Sequence, residues 1–297
     1  MRAAPLLGQP VADAWTPRLA LRAARFTQAG QPLDLAVLRF AHDPAASAYA
    51  TRLSAVCDAV GLGFREVALP SETSTAHALD ALHELNVDAH VAGILPMLPP
   101  PAQVDASALV AAIDPDKDVD GAHPQNAAAL YLGAQGWSPA PATALAVLEL
   151  LSAYDERVAG RDAVVVGLSN VVGKPLALLL IRENATVTFC HCQTANLADH
   201  TRRADLLVVA AGRPGLITGD MVGASATVVD VGTNYVEGRL VGDVVYEEVA
   251  ESAARLTPVP GGVGPLTNLM LVRNLLDLAD ASRVGDYYRL AETRSPR

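Results

Sequence analysis

The sequence predicts an α/β protein made of two α/β domains flanking a cleft. Three observations predict it. Short, β-branched apolar runs alternate with longer Ala- and Leu-rich runs along most of the 297 residues. The alternation falls into two series parted by a proline-rich, loop-like stretch. The second series opens on V-V-V-G-L-S-N-V-V-G-K-P-L-A-L-L-L, residues 164–180, where a strand-like segment turns through two glycines into a helix-like one.

Taken in order, the first series places strands at 33–40, 64–69 and 91–95, with helices near 48–60 and 74–85 between them. These strand segments are short and apolar, as parallel strands buried on both faces are. Pro99, Pro100, Pro101 and the polar residues 114–126 read as loop, because proline offers no backbone N–H to an element interior. A helix at 142–154 follows. The second series starts at Ala163, continues through strands at 185–190, 206–210 and 227–231, and closes near Thr257. An apolar helix at 266–278 packs back on the first domain and braces the cleft. The expected domains are 1–140, completed by the C-terminal helix 265–297, and 141–264.

Composition narrows the class. A chain that is 51% hydrophobic and 18% charged fits a soluble globular protein, and no apolar run reaches the ~18 residues of a membrane span. Residues 1–10 hold one arginine and no long apolar core, which argues against a secretory leader and for the cytoplasm. A formal charge of −10 argues against nucleic acid as a partner, since that affinity rests on neutralising phosphate. Cys57, Cys190 and Cys192 read as reduced core residues. Strand alternation at Cys190-His191-Cys192 points the sulfurs one way and the imidazole the other, so no metal is expected.

The glycine turn lies at the carboxyl end of a strand and the amino end of a helix. Unpaired N–H groups and a positive helix dipole there suit a phosphate. Gly167 and Gly173 stand six apart, with Ser169 where the common fingerprint has its middle glycine. The pattern alone therefore describes a structural turn as well as a dinucleotide cradle.

Three polar segments lie outside the periodic runs and face the expected cleft: Y-A-T-R-L at 49–53, P-D-K-D-V-D-G-A-H-P at 115–124 and P-V-P-G-G-V-G-P-L-T at 258–267. With L-L-G-Q-P-V-A at 6–12, D-P-A from Asp43, G-I-L-P-M-L-P at 93–99, the glycine turn, A-D-L-L-V-V-A-A-G-R-P-G at 204–215, V-D-V-G at 229–232 and G-D-V at 242–244, they resemble, in order and spacing, the bifunctional methylenetetrahydrofolate dehydrogenase/cyclohydrolase family. The resemblance covers nearly the whole chain. It implies a second domain of Rossmann type holding NAD or NADP, a tetrahydrofolate derivative as cosubstrate in the cleft, and a homodimer formed through the second domain. It further implies that Tyr49 and Asp120 serve the substrate, with Pro260, Gly261, Gly262 and Gly264 walling the site. Gly167, Leu168, Ser169, Val171, Val172, Cys192, Ala211, Gly212 and Thr233 fall at cofactor-binding positions.

The departures fall in the catalytic region. The family's lysine, four residues after the tyrosine and so one helical turn on, is Leu53 here, and its partner glutamine is Met97. In the family that lysine chiefly serves the hydrolytic step; leucine and methionine carry no titratable proton. Arg52 lies about 100° round the helix and stays charged, a poor substitute. Ala92 stands in place of an aspartate, and a C-T-P-x-G segment appears as Ala140-Pro141-Ala142-Thr143-Ala144. The expected activity is oxidation of 5,10-methylenetetrahydrofolate with NAD(P), with a weak or absent cyclohydrolase step. The alternatives are a divergent enzyme of a modified pterin or another iminium-type substrate, and a non-catalytic folate- or nucleotide-binding protein. No acidic residue ends the second strand of the nucleotide domain to reject a 2′-phosphate, and neither Leu168 nor Cys192 supplies a cation for one. Lys174, Arg202, Arg203 or a protonated His191 would have to reach in. NAD is therefore expected to serve at least as well as NADP.

Overall fold

In the computed structural model, residues 2–41, 44–133 and 137–284 are described. Asp43 and the end of the expected C-terminal helix lie outside them. The chain forms β1 (Ala4–Pro5), α1 (Gly8–Gln28), β2 (Asp34–Phe40), α2 (Pro44–Val60), β3 (Gly63–Leu69), α3 (Thr75–Val87) and β4 (Val91–Pro96). Next come α4 (Ala106–Ala111), a 3-10 turn (Pro115–Lys117), α5 (Pro124–Leu132) and α6 (Ala142–Ala153). The remainder is β5 (Asp162–Val166), α7 (Gly173–Arg182), β6 (Thr186–Cys190), α8 (Leu197–Thr201), β7 (Leu206–Val209), a 3-10 turn (Gly219–Met221), β8 (Thr227–Asp230), the hairpin β9 (Asn234–Val236) and β10 (Arg239–Val241), α9 (Tyr246–Ser252), β11 (Arg255–Leu256) and α10 (Gly264–Val284).

The chain divides into two compact units, one holding the residues up to Asp13 with Thr143–Thr267, the other Ala14–Ala142 with the chain from Asn268. The first unit carries a wholly parallel six-stranded sheet in the order β1-β11-β8-β7-β5-β6. Its central strands show no alternation of buried and exposed side chains, as expected of strands covered on both faces: Leu206, Leu207, Val208 and Val209 are all at or below 1% exposure. The second unit carries a parallel three-stranded sheet, β3-β2-β4, whose β2 keeps Leu35, Ala36, Val37 and Leu38 fully buried.

Residues 2–13 depart from the expected boundary. β1 pairs with β11, and the Gly8 amide donates to Gly261 O at 2.8 Å, so the amino-terminal stretch is an edge of the first unit's sheet. Helix α1 lies where the residue pattern announces no element, because Pro10 and Pro17 interrupt its period; it nonetheless buries Val11, Leu19, Ala23 and Phe26. The supposed loop after Pro101 holds two short helices. Asp105 caps α4 by accepting from the amides of Ser107 and Ala108, and His123 caps α5 by accepting from that of Gln125. Cys57 and Cys190 are buried as expected, but Cys192 is exposed, because β6 ends at Cys190 and the chain turns out to solvent.

Candidate functional site

In the six-stranded sheet, the connections from β5 run to β6 on one side and β7 on the other. The order therefore reverses between β5 and β7, and ligands of open parallel sheets bind outside the carboxyl ends of strands at such a point. The loops there are the glycine turn after β5 and residues 210–212 after β7. They touch. Gly167 has φ +124, and a Cβ on it would lie 2.1 Å from Ala210 O; one on Gly173 would lie 1.9 Å from Gly167 O. Both glycines are required by this close return of the backbone.

Ser169 explains the missing middle glycine. Its hydroxyl accepts from the amides of Val172 (3.1 Å) and Gly173 (3.4 Å), and the Lys174 amide donates to Ser169 O at 3.1 Å. The first amides of α7 are thus internally partnered, which corrects the expectation of unpaired N–H groups there. Leu168 and Val171 project outward, 41% and 37% exposed, so the turn presents apolar side chains where a cation would be needed for a phosphate monoester. Three of the possible cations are engaged: Lys174 Nζ lies 2.7 Å from Asn170 Oδ1, Arg202 pairs with Asp220 and Asp199, and Arg203 Nε donates to Asp199 O. Cys192 and Thr233 are exposed, Ala211 is half-buried, and Gly212 takes a left-handed φ of +63.

Two buried carboxylates order the loops after β7 and β8. Asp243 Oδ2 accepts from the amides of Ala211 (2.6 Å) and Gly212 (2.9 Å), and its Oδ1 from Asn234 Nδ2 (2.8 Å). Asp230 accepts from the amides of Gly232, Asp243 and Val244. Burial pushes the Asp230 carboxyl up to about 6; its three N–H donors oppose this and the Asp243 charge adds to it. Residues 260–264 belong to the same unit. There the close backbone approach is to the chain itself, since a Cβ on Gly8 would lie 1.9 Å from Gly262 O. Gly261 has φ +110, and a Cβ on Gly264 would meet nothing within 4 Å.

In the second unit, β2 is central and the order reverses between β2 and β4. Tyr49 stands on α2 after β2, and Met97 follows β4 with its amide bonded to Leu38 O at 2.8 Å. The 115–121 segment lies beside them because Asp118 bridges to Ile94 of β4. That segment is tied down on all sides. The Lys117 ammonium, whose pKa burial lowers, donates to the carbonyls of Leu85, Asn86 and Asp88 at the end of α3. Asp118 accepts from the amides of Ala122 and His123 and from Asn126 Nδ2. Gly121, with φ +58, lies under Pro139 O. Asn274 of α10, 1% exposed, donates to Val119 O and Ala140 O.

This frame brings Tyr49 and Asp120 together. Asp120 is half-buried, with Oδ1 accepting from the Ala142 amide at 2.8 Å. Burial pushes its carboxyl up to about 7; the Ala142 amide opposes this and the Asp118 charge adds to it. The Tyr49 hydroxyl is raised well above the usual phenol range, by burial first and by the Asp120 charge second, with Arg52 opposing. Tyr49 is therefore a phenol, able to donate a hydrogen bond and not to act as a base. Arg52 does not turn away: its guanidinium lies 6.0 Å from the centre of the Tyr49 ring. Leu53, one turn further, is completely buried, and Met97 is half-buried. The residue pattern placed Ser169 in the glycine turn without its capping bonds, and gave no role to Lys117, Asn274 or Asp243. Only Asn274 leaves a signal, an amide in the middle of an apolar run of its helix.

Two parallel α/β units, one with a glycine turn closed against the next loop at its switch point and one with a half-buried acid beside a tyrosine, define a dinucleotide-dependent enzyme class. Residues 6–120 match the tetrahydrofolate dehydrogenase/cyclohydrolase catalytic domain and 141–283 the NAD(P)-binding domain of the same family. The chain belongs to the tetrahydrofolate dehydrogenase/cyclohydrolase family. It is 45% identical over 270 residues to the bifunctional protein FolD of Methanospirillum hungatei, covering 91% of this chain and 96% of that one. The bifunctional FolD of Campylobacter jejuni superposes with a TM-score of 0.91 at 37% identity, covering 94% of this chain and 99% of that one. The Trypanosoma brucei enzyme, solved with NADP and an inhibitor, superposes with a TM-score of 0.90 at 34% identity, covering 95% and 99%. Among the described residues no helix is long and apolar enough to cross a membrane.

Proposed function

We propose that the protein oxidises 5,10-methylenetetrahydrofolate to 5,10-methenyltetrahydrofolate with NAD(P), and that its hydrolysis of the product is weak or absent. The dinucleotide, when bound, takes the hydride from the bridging methylene carbon and leaves that carbon cationic. The switch-point loops fit such a ligand, because Gly167, Gly173 and the Asp243-held amides of Ala211 and Gly212 form an ordered, side-chain-poor surface. The chain's own part in this step is placement: Tyr49 offers a flat ring and a hydroxyl proton, and Asp120 an acceptor for pterin N–H groups.

The observation that carries the second half of the proposal is Leu53, 0% exposed one helical turn after Tyr49. Hydrolysis needs water to lose a proton as it adds to the cationic carbon, and a ring nitrogen to gain one as the C–N bond opens. Leu53 and Met97 supply neither. Tyr49 holds its proton too firmly, and Arg52 is permanently charged. The test is to titrate the pure protein with NAD, NADP and reduced folates while following NAD(P)H absorbance, then to give it methenyltetrahydrofolate and measure decay above the spontaneous rate. NAD(P)H formation without accelerated decay is expected. Binding without NAD(P)H would favour a non-catalytic role, and indifference to folates a different iminium-type substrate.

A further inference from the structure

Helix α10 buries Leu271, Val272, Leu275 and Leu276 and, in their midst, Asn274. A carboxamide among apolar side chains is destabilising unless its N–H groups are bonded. Both are. Asn274 Nδ2 donates to Val119 O at 2.7 Å and to Ala140 O at 2.8 Å. The two carbonyls belong to irregular segments that approach closely: a Cβ on Gly121 would lie 2.6 Å from Pro139 O and 2.9 Å from Ala140 Cα. Among the described residues no β-ladder pairs these segments, so their spacing is set by the bridges across them. One bridge is Asn274; another is the Ala142 amide, which donates to Asp120 Oδ1 at 2.8 Å.

The arrangement clamps one carboxyl. Val119 directly precedes Asp120, and Ala140 lies two residues before Ala142, so Asn274 holds the backbone on both sides of the Asp120–Ala142 bond. The Val119 side chain packs between β4 and α10, since a Cβ on Gly93 would lie 2.3 Å from Val119 Cγ1 and 2.9 Å from Leu275 Cδ1. All of these residues belong to the second unit. We propose that Asn274 is a positioning residue of the substrate site: by fixing the Val119 and Ala140 carbonyls it keeps the Ala142 amide on Asp120 Oδ1 and leaves Oδ2 as the acceptor for pterin N–H groups. The substrate part of this inference rests on the folate reading above; the clamp rests on this unit alone. An amide N–H on a carboxylate favours the ionised form, and here it opposes burial and the Asp118 charge, which both raise the carboxyl. The titratable and charged groups around Asp120 are Tyr49 from α2, with Arg52 beside it, and Asp118 from its own segment; α6 contributes the Ala142 amide. Releasing the clamp therefore makes Asp120 ionise at a higher pH.

Carbon-13 NMR of the aspartate side-chain carboxyls in the full-length protein, titrated from about pH 5 to about pH 9, tests the clamp without turnover. The Asp120 signal is the one lost in Asp120→Asn. Asn274→Leu keeps the branched shape and removes both donors, so the Asp120 midpoint should rise by about half a pH unit or more, with the KM for methylenetetrahydrofolate rising at least about threefold. Ala142→Pro approaches the same bond from its other end, since proline is accepted at the first position of a helix and has no N–H to give. It should raise the midpoint similarly, and combining the two changes should add little. A partial loss of folded protein alone would lower kcat and leave both midpoint and KM unchanged. An unchanged Asp120 midpoint in folded Asn274→Leu would overturn the proposal; should that variant not fold, an unchanged midpoint in Ala142→Pro would do so. A raised midpoint with an unchanged KM would overturn the substrate role. Wild-type protein that forms no NAD(P)H from the folate would remove the dehydrogenase reading and the substrate role with it, while the titration would still decide the clamp.

Discussion

Replacing Asp120 with asparagine should stabilise the protein while damaging its site. In the folded chain the carboxyl is half-buried, faces Tyr49, and feels the Asp118 charge; burial above all pushes it up to about 7. The unfolded carboxyl titrates near ~3.9. Between about pH 4 and pH 7 the native state therefore holds more protons than the unfolded one, so ionising Asp120 lowers stability progressively across that window and fully above it. A rise from about 3.9 to about 7, at ~1.36 kcal/mol per pH unit, sets a ceiling of about 4 kcal/mol. Water reaches the half-buried group and screens it, which brings the expected penalty to about 2 kcal/mol. Asparagine keeps an oxygen for the Ala142 amide and carries no charge, so Asp120→Asn should gain about 2 kcal/mol above pH 7 and nothing below about pH 4. Paired urea unfolding curves across that range measure the gap. A variant no more stable than the wild type above pH 7, or a gap that does not shrink on acidification, would refute the account. Dehydrogenase activity should fall in the same variant, because a neutral amide cannot replace a carboxylate acceptor for pterin N–H groups.

Leu53→Lys combined with Met97→Gln should raise cyclohydrolase activity more than either change alone, about tenfold or above; efficient hydrolysis by the unchanged protein would instead point to a proton donor elsewhere, His123 first. Asp243→Ala strips the acceptor from two amides and from Asn234; these donors are half-buried or exposed and can turn to water, so at ~0.5–1.5 kcal/mol per hydrogen bond the change should cost about 2 kcal/mol in urea unfolding and weaken dinucleotide binding, whereas an unaffected Kd would detach these loops from the cofactor. Gly173→Ala should abolish dinucleotide binding, since its Cβ would lie 1.9 Å from Gly167 O, and a variant that binds normally would show the turn to be irrelevant. The protein should be a homodimer formed through its NAD(P)-binding unit, where edge strand β6 exposes Phe189 at 44%; light scattering at micromolar concentration should return twice the chain mass, and a monomer mass would count against it.

Local chemistry made much of this molecule legible in the sequence. Apolar, valine-rich runs such as 163–166 and 206–209 suit extended backbone and needed burial on two faces, so the parallel sheets followed from them. Gly167 and Gly173 were recognisable because only glycine tolerates such a return of the backbone, and the loss of a titratable pair at Leu53 and Met97 is plain from residue identity alone. What the tertiary structure decided depends on residues far apart in the chain. Residues 2–13 belong with the nucleotide-binding unit because β1 pairs with β11 near the opposite end of the chain, and Asn274 stitches Val119 to Ala140 from a helix near the other terminus. Arg52 lies over the Tyr49 ring because residues three apart on a helix are neighbours and its long side chain bends towards the aromatic face. The proton affinity of Asp120 comes from the surroundings that burial creates, and no reading of P-D-K-D-V-D-G distinguishes it from Asp118 two residues earlier, which spends its carboxylate on the amides leading into α5.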